Sequence, residues 1–208
     1  MASTLLNHLF QDPSPLVPLS VDQYHQMIRT GVLREGAHIE LLDGFLVYKD
    51  RSQAGKDPMT VGHQHAVTVM KLERLLRSAE EFGCHVRVQQ PITLPPDDEP
   101  EPDLALVRGA VDDYADSHPR AEDILCVIEV ADSSLRFDRT TKQAIYARGG
   151  IRQYVIVNLA GKEVENHLVP DPAAATFTEH TNPGRGDSLQ IQTPAQTLTI
   201  PIAAFLPA

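Results

Sequence analysis

Ile124-Leu125-Cys126-Val127-Ile128-Glu129-Val130-Ala131-Asp132-Ser133-Ser134, continuing to Asp138-Arg139-Thr140-Thr141-Lys142, is the stretch on which the architecture turns. Its first seven residues form an apolar run of strand length that carries one acid, Glu129, next to its end. Asp138 then stands where it can N-cap a helix running to about Arg148, with Gly149-Gly150 as the C-cap. A second buried strand follows at Tyr154-Val155-Ile156-Val157-Asn158-Leu159. Strand, helix and strand in this order specify a helix lying on a sheet.

Upstream, Glu101-Pro102-Asp103-Leu104-Ala105-Leu106-Val107 reads as another strand, opened by Asp103. A polar crossover, 108–122, joins it to Ile124. Before it come a strand from Cys84 to Gln90 and the loop Pro95 to Pro100, with Asp97-Asp98-Glu99 expected to face solvent. Apolar residues at Val67, Met70, Leu72, Leu75, Leu76 and Ala79 recur at helical spacing, which predicts an amphipathic helix from about His63 to Phe82 that Gly83 stops. Arg51 to Thr60 reads as a polar loop. His38 to Leu42 and Phe45 to Tyr48 flank Asp43-Gly44, the turn of a β-hairpin. Ser20-Val21-Asp22-Gln23 fits a capping box that opens a helix to about Arg29. After Gly161 the pattern is strands only: Glu163 to Val169, Ala175 to Glu179, Ser188 to Ile191 and Leu198 to Ile200.

Composition sets limits. With 208 residues, 42% hydrophobic and 22% charged, the chain is ordinary for a globular protein. A formal charge of −10 argues against avid, unaided binding of nucleic acid, since phosphate contacts need clustered Lys and Arg. Cys84 and Cys126 lie in apolar runs and read as reduced core thiols of a cytoplasmic protein. Met1 to Pro18 lacks the features of a secretory signal, and no apolar run reaches the length of a membrane span.

The chemistry concentrates at strand ends. Ionised carboxylates are rarely tolerated in sheet cores unless paired or holding a cation. Asp103 and Glu129, followed by Lys142 on a helix, therefore suggest a site that holds Mg²⁺ or Mn²⁺ for hydrolysis, with the lysine orienting water or neutralising developing charge. Each residue also has a plain reading. Asp103 marks a loop-to-strand junction, Glu129 faces solvent, and Lys142 pairs with Asp138 at i,i+4. His63 and His65 project to opposite sides of their helix, so shared ligation is not expected and one of them at most faces a cleft. A sugar- or nucleotide-binding β-rich domain is a further reading, weakened by the absence of a Gly-rich phosphate loop.

The Pro-Asp strand, the Ile-Glu-Val strand, Asp138-x-x-x-Lys142-x-x-x-Tyr146 and Gly150-Ile151-Arg152-Gln153-Tyr154-Val155-Ile156-Val157 together resemble the Uma-two endonuclease family. The hairpin Ile39-Glu40-Leu41-Leu42-Asp43-Gly44-Phe45-Leu46-Val47 and Gly62-His63-Gln64-His65 share in the resemblance, which spans roughly Ser20 to Leu168. It implies a restriction-endonuclease-like α/β (α+β) fold: a mixed β-sheet core flanked by helices, with an N-terminal β-hairpin and a C-terminal β meander. Residues 1–19 would be an extended segment and 20–208 one domain. Asp103 matches the aspartate of the PD-(D/E)XK signature and Glu129 its second acid. Ala131 stands where the superfamily usually has lysine, and Lys142 takes that part from the following helix. Glu40, His63, Asp138 and Tyr146 are candidates for the cleft rim. Asn158 departs from the acid common in the family.

The expected function is a Mg²⁺-dependent (or Mn²⁺-dependent) DNA endonuclease, acting as a homodimer, with Asp103 and Glu129 as metal ligands and Lys142 positioning water. The alternative is a nuclease-fold module that acts through protein contacts. The net charge favours the alternative; the acid, acid, lysine set favours the enzyme. The apolar segment Leu198 to Leu206 is expected to need covering by a partner.

Overall fold

The computed structural model describes residues 16–49 and 62–207. The expectations for the N-terminal segment up to residue 15 and for the Arg51 to Thr60 loop fall outside these residues. Among the described residues the centre is a six-stranded sheet in the order β3-β4-β5-β6-β7-β8. Its strands are Cys84–Val88, Leu104–Arg108, Ile124–Ala131, Gln153–Asn158, Glu163–Asp171 and Thr176–Thr181. β5 and β6 pair parallel and the other neighbours antiparallel. Every residue of β5 and β6 is buried, because the helical crossover between them covers the sheet on one side while other elements cover the second.

Alternation along the strands sorts the core into two layers. Leu104, Leu106, Cys126, Ile128, Val130, Val155 and Val157 face one way. They meet Val69, Leu72 and Leu76 of α2 (His63–Leu76). Ala105, Val107, Val127, Ala131, Tyr154 and Ile156 face the other way, against Ile145, Tyr146 and Ala147 of α3. α3 is a continuous helical run over 135–148: Leu135–Phe137, a π-helical turn Asp138–Lys142, then Gln143–Arg148.

The helix therefore begins earlier than expected. Ser134 is its N-cap residue, and Asp138, inside the run, is buried and accepts a 2.5 Å hydrogen bond from the Ser134 hydroxyl. The helix after residue 63 is α-helical to Leu76 and tightens to a 3₁₀ form over Arg77–Phe82. The strands after Gly161 divide. β7 and β8 extend the central sheet, while β9 (Ser188–Gln192) and β10 (Thr197–Pro201) form a separate hairpin, followed by a short helix α4, Ile202–Phe205. Leu198, Ile200, Ile202, Phe205 and Leu206 are buried in the chain's own core beside α2, so this segment needs no partner to cover it.

The N-terminal helix α1, Val21–Arg29, carries the expected capping box: Gln23 N donates to Ser20 Oγ and Ser20 N to Gln23 Oε1. The hairpin of β1 (Ile39–Leu42) and β2 (Phe45–Tyr48) turns at Asp43 and Gly44, both at positive φ. The segment before α1 crosses this turn, with Leu19 N donating to Gly44 O at 3.0 Å. A Cβ on Gly44 would lie 2.2 Å from Pro18 Cβ and 2.8 Å from Pro18 Cα. Gly44→Ala should therefore destabilise the fold by roughly 1–3 kcal/mol, read as a lower urea midpoint, from overpacking added to positive-φ strain.

Asp97-Asp98-Glu99 is not a solvated run. Asp98 and Glu99 are buried. Asp98 accepts from Arg148 Nη2 at 2.8 Å and Asp43 N at 2.7 Å, while Glu99 meets His25 Nε2 at 2.8 Å and Thr93 Oγ1 at 2.8 Å. These pairs tie the hairpin and α1 to the loop ahead of β4. Asn158 has a structural task, its Oδ1 accepting from Gly161 N at 2.9 Å in the β6–β7 turn.

Candidate active site

Asp103 lies one residue before β4 and Glu129 near the end of β5. The register pairs Leu104 with Ile128, so the two acids are neighbours. By strand alternation both share the face of Ala105, Val127 and Ala131, beneath α3. They also tie the strand ends together. Asp103 N donates to Glu129 Oε2 at 3.2 Å, and Val130 N donates to Asp103 Oδ2 at 2.9 Å.

Lys142 reaches the pair from α3. Its Nζ is buried and donates to Glu129 Oε1 at 3.1 Å and to Glu40 Oε1 at 2.8 Å. Lys142 thus pairs across the fold, with carboxylates of two other elements, and not only along its own helix. Lys142 closes the π-helical turn, a feature that shifts the side chains after it around the helix axis and is frequent at functional sites. Glu40 comes from β1 and also accepts from Glu101 N at 2.7 Å. It is buried at 4% exposure, joined to Lys142 and to the backbone just ahead of Asp103. Tyr146, one helical turn beyond Lys142, is fully buried and donates to Glu129 Oε1 at 2.7 Å. Asp138 stays bound to Ser134 and acts on Glu129 through its charge.

Between the two histidines, the helix docks His65 inward. His65 Nε2 lies 3.0 Å from Asp103 Oδ2, whereas His63 is exposed. The difference follows from rotation: two residues along an α-helix turn the side chain by about 200°. Sequence reading also passed over Lys49, just beyond β2, which forms an ion pair with Glu101, and Gln89, whose Nε2 is 3.4 Å from Asp103 Oδ1. Lys49 follows a strand whose partner carries Glu40, and that pairing was the signal that it belongs here.

The charges are strongly coupled to their surroundings. Burial pushes the Glu129 carboxyl up to about 8; Lys142 pulls it down, and the charges of Asp103, Asp138 and Glu40 add to the rise. Lys142 is raised as well, for a different reason. Burial alone would lower it, but the carboxylates of Glu129 and Glu40 hold it above its ordinary range, so it remains an ammonium. Asp103 is opposed by burial yet lowered overall by the hydrogen bond and charge of His65 and by the Val130 N–H. His65 is raised, first by its bond to Asp103. The elevated carboxyl of the cluster is thus Glu129, and Asp103 is its ionised partner.

A divalent cation fits this donor set. Among the described residues, Asp103 Oδ1 receives only a long contact from Gln89 and Glu129 Oε2 one weak N–H, and both are hard oxygen donors. His65 Nδ1 is buried without a hydrogen-bond partner among the described residues. Lys142 occupies the opposite side of Glu129, so a cation and the ammonium need not compete for the same oxygen.

The wider comparison agrees with the fold. A comparison with curated proteins finds no match. Among solved structures, one described as a "putative nuclease belonging to DUF820" from Anabaena variabilis superposes with a TM-score of 0.64 at 14% identity, covering 91% of this chain and 98% of that one. At that identity the likeness shows that the two chains share a fold. A family model described as "Uma2: Putative restriction endonuclease" matches residues 21–203, a span that takes in both strand-end acids, the hairpin glutamate and the buried lysine. The chain belongs to the Uma2 family.

Proposed function

We propose that this protein is a Mg²⁺- or Mn²⁺-dependent endonuclease that hydrolyses phosphodiester bonds in DNA. The observation that carries the reading is the buried Lys142 ammonium joined to Glu129 and Glu40, with Asp103 beside Glu129 on the same sheet face. Burying three acids and a lysine weakens a fold unless each is paired, and replacement by apolar residues is often neutral or stabilising. Such an assembly at strand ends, with strongly shifted protonation, is characteristic of a functional site. Family membership and the nuclease-type fold support the same class of reaction.

Asp103 and Glu129 would hold the cation. Bound there, it would polarise the scissile phosphoryl group and acidify an attacking water. Lys142, kept protonated, cannot serve as a general base; it donates hydrogen bonds to the water and offsets charge that develops on the phosphate. Glu40 positions Lys142 from below, and Tyr146 fixes the Glu129 carboxylate by donating to Oε1. His65 holds Asp103 in its ionised form, the form a cation would need. A two-fold dimer that sets two clefts along one duplex belongs to this reading, and light scattering at micromolar concentration that returned the 22.9 kDa monomer would remove that part of it.

The test is nicking of supercoiled plasmid by the purified protein with Mn²⁺ or Mg²⁺, and its arrest by EDTA. Absence of cleavage across both metals and several DNA forms would favour the alternative, a nuclease-fold module acting through protein contacts, which the net charge of −10 supports.

Cation binding should depend on pH with a definite sign. Glu129 is raised from an ordinary carboxylate value to about 8, so the folded apo protein keeps a proton there that the unfolded chain has already lost. Stability from that difference is present at acid pH and is lost as pH rises through about 8. The cation needs the ionised form, so Mn²⁺ affinity should weaken about tenfold per pH unit below 8. Protonation of His65 on Asp103 reinforces the trend. Calorimetric titration at pH 6, 7, 8 and 9 checks this, and a flat profile would contradict it.

A further inference from the structure

A second cluster of ligating side chains lies on the outer strands of the sheet, away from the cleft. Glu165 and His167 are two residues apart on β7 and therefore share a face, while His180 on β8 stands directly opposite His167 in the antiparallel register. One potential ligand atom from each of the three lies within 4.8 Å of the others. His167 is 93% buried, being 7% exposed, and its Nε2 is a buried nitrogen without a hydrogen-bond partner among the described residues. That nitrogen is aimed at Glu165 Oε2, 3.7 Å away, too far for a hydrogen bond. The imidazole of His180 lies alongside, its ring centroid 4.9 Å from that of His167.

We propose that Glu165, His167 and His180 form a cation site for a Zn²⁺-class transition ion, distinct from the proposed Mg²⁺ site, in which the ion clamps β7 to β8. Two imidazoles and one carboxylate are borderline donors that suit Zn²⁺, Co²⁺ or Ni²⁺, whereas Asp103 and Glu129 offer only hard oxygen. Tetrahedral coordination needs ligand atoms about 3.4 Å apart. Small side-chain rotations close the gap, and His180, exposed on the edge strand, is free to make the largest. The fourth position opens to solvent on that side.

The surroundings suit an ion. Tyr154 and Phe177 flank the His167 ring, at centroid distances of 5.9 Å each, and restrain it. Burial and the neighbouring His180 lower the His167 pKa, favouring the neutral ring that a metal requires. Arg139 of α3 donates to Glu165 Oε1 through Nη2 at 2.7 Å and Nε at 2.9 Å, with a weaker 3.1 Å bond from Nε to Oε2. This leaves Oε2 the better placed oxygen for a cation and orients the carboxylate as outer-shell partners do in metal sites. The same arginine connects the site to the helix that carries Lys142.

The test titrates Zn²⁺ against a chromophoric chelator and records the visible spectrum with Co²⁺ in its place, for wild type, His180→Ala and His167→Gln. Wild type should bind Zn²⁺ and give the intense bands of a low-coordinate Co²⁺ centre. Both variants should lose one equivalent, with affinity weaker by more than about 100-fold. His180→Ala changes an exposed side chain, so its metal-free melting should match wild type and its plasmid nicking should be unchanged. Zn²⁺ uptake that is the same in wild type and both variants would overturn the proposal, as would a wild type that takes up none in competition with the chelator.

Discussion

Lys142→Met should cost about 3–5 kcal/mol of folding stability at pH 8, the range measured when one partner of a buried ion pair is removed. Methionine keeps the length and apolar stem of the side chain, so the loss reports on the ammonium. Its two bonds, to Glu40 at 2.8 Å and Glu129 at 3.1 Å, vanish; Glu40 is left buried without its counter-charge, and Glu129, no longer pulled down by Lys142, takes up a proton instead of staying paired. The penalty should shrink toward pH 5, because below about 8 the wild-type Glu129 is protonated too and the pair that Lys142 stabilises is no longer complete. Adding Glu129→Gln to Lys142→Met should remove the remaining dependence on pH from this carboxyl, since the amide cannot ionise. Urea unfolding of the wild type, both single variants and the double variant at the two pH values forms the complete cycle. A Lys142→Met protein as stable as wild type at pH 8 would mean that the ammonium is not buried against these acids.

Glu129→Gln alone should behave in the opposite way: a modest change in stability and loss of metal-dependent cleavage by more than about 100-fold. The amide fills the same space, Lys142 keeps Glu40, and Tyr146 still finds an oxygen acceptor. The negative charge that a divalent cation needs is gone, and Asp103 alone is a poor site for an ion that must give up water to bind. Calorimetry with Mn²⁺ should show the lost affinity directly, and plasmid nicking should fall with it. Nicking by Glu129→Gln at the wild-type rate would place the cleavage elsewhere, or in a contaminant, and would remove the site from the mechanism.

Much of this was legible in the chain because strands and helices impose short-range rules. The period of two in Asp103-Leu104-Ala105 and Val127-Ile128-Glu129 places both acids on the face of the core that α3 covers once the strands pair near their ends. The Ser20 capping box and the Asp43-Gly44 turn are similarly local, decided by hydrogen bonds and backbone angles within four residues.

Long-range docking decided the rest. His63 and His65 are equivalent by spacing, and only the rotation at which α2 meets the sheet selects His65 for Asp103. Asp98 and Glu99 look like solvent-facing charge because their partners, Arg148 and His25, lie 50 and 74 residues away in sequence. The apolar C-terminal segment reads in sequence as a surface for a second subunit, but it folds back onto α2 and fills the chain's own core. Lys142 shows the division most clearly. Its identity and its place after Glu129 are written in the sequence, while its pairing with Glu40, 102 residues away, depends on a π-helical turn and a docked hairpin. Local propensity acts over a few residues. The energy that buries an ammonium between two carboxylates exists only after distant strands have excluded water around it.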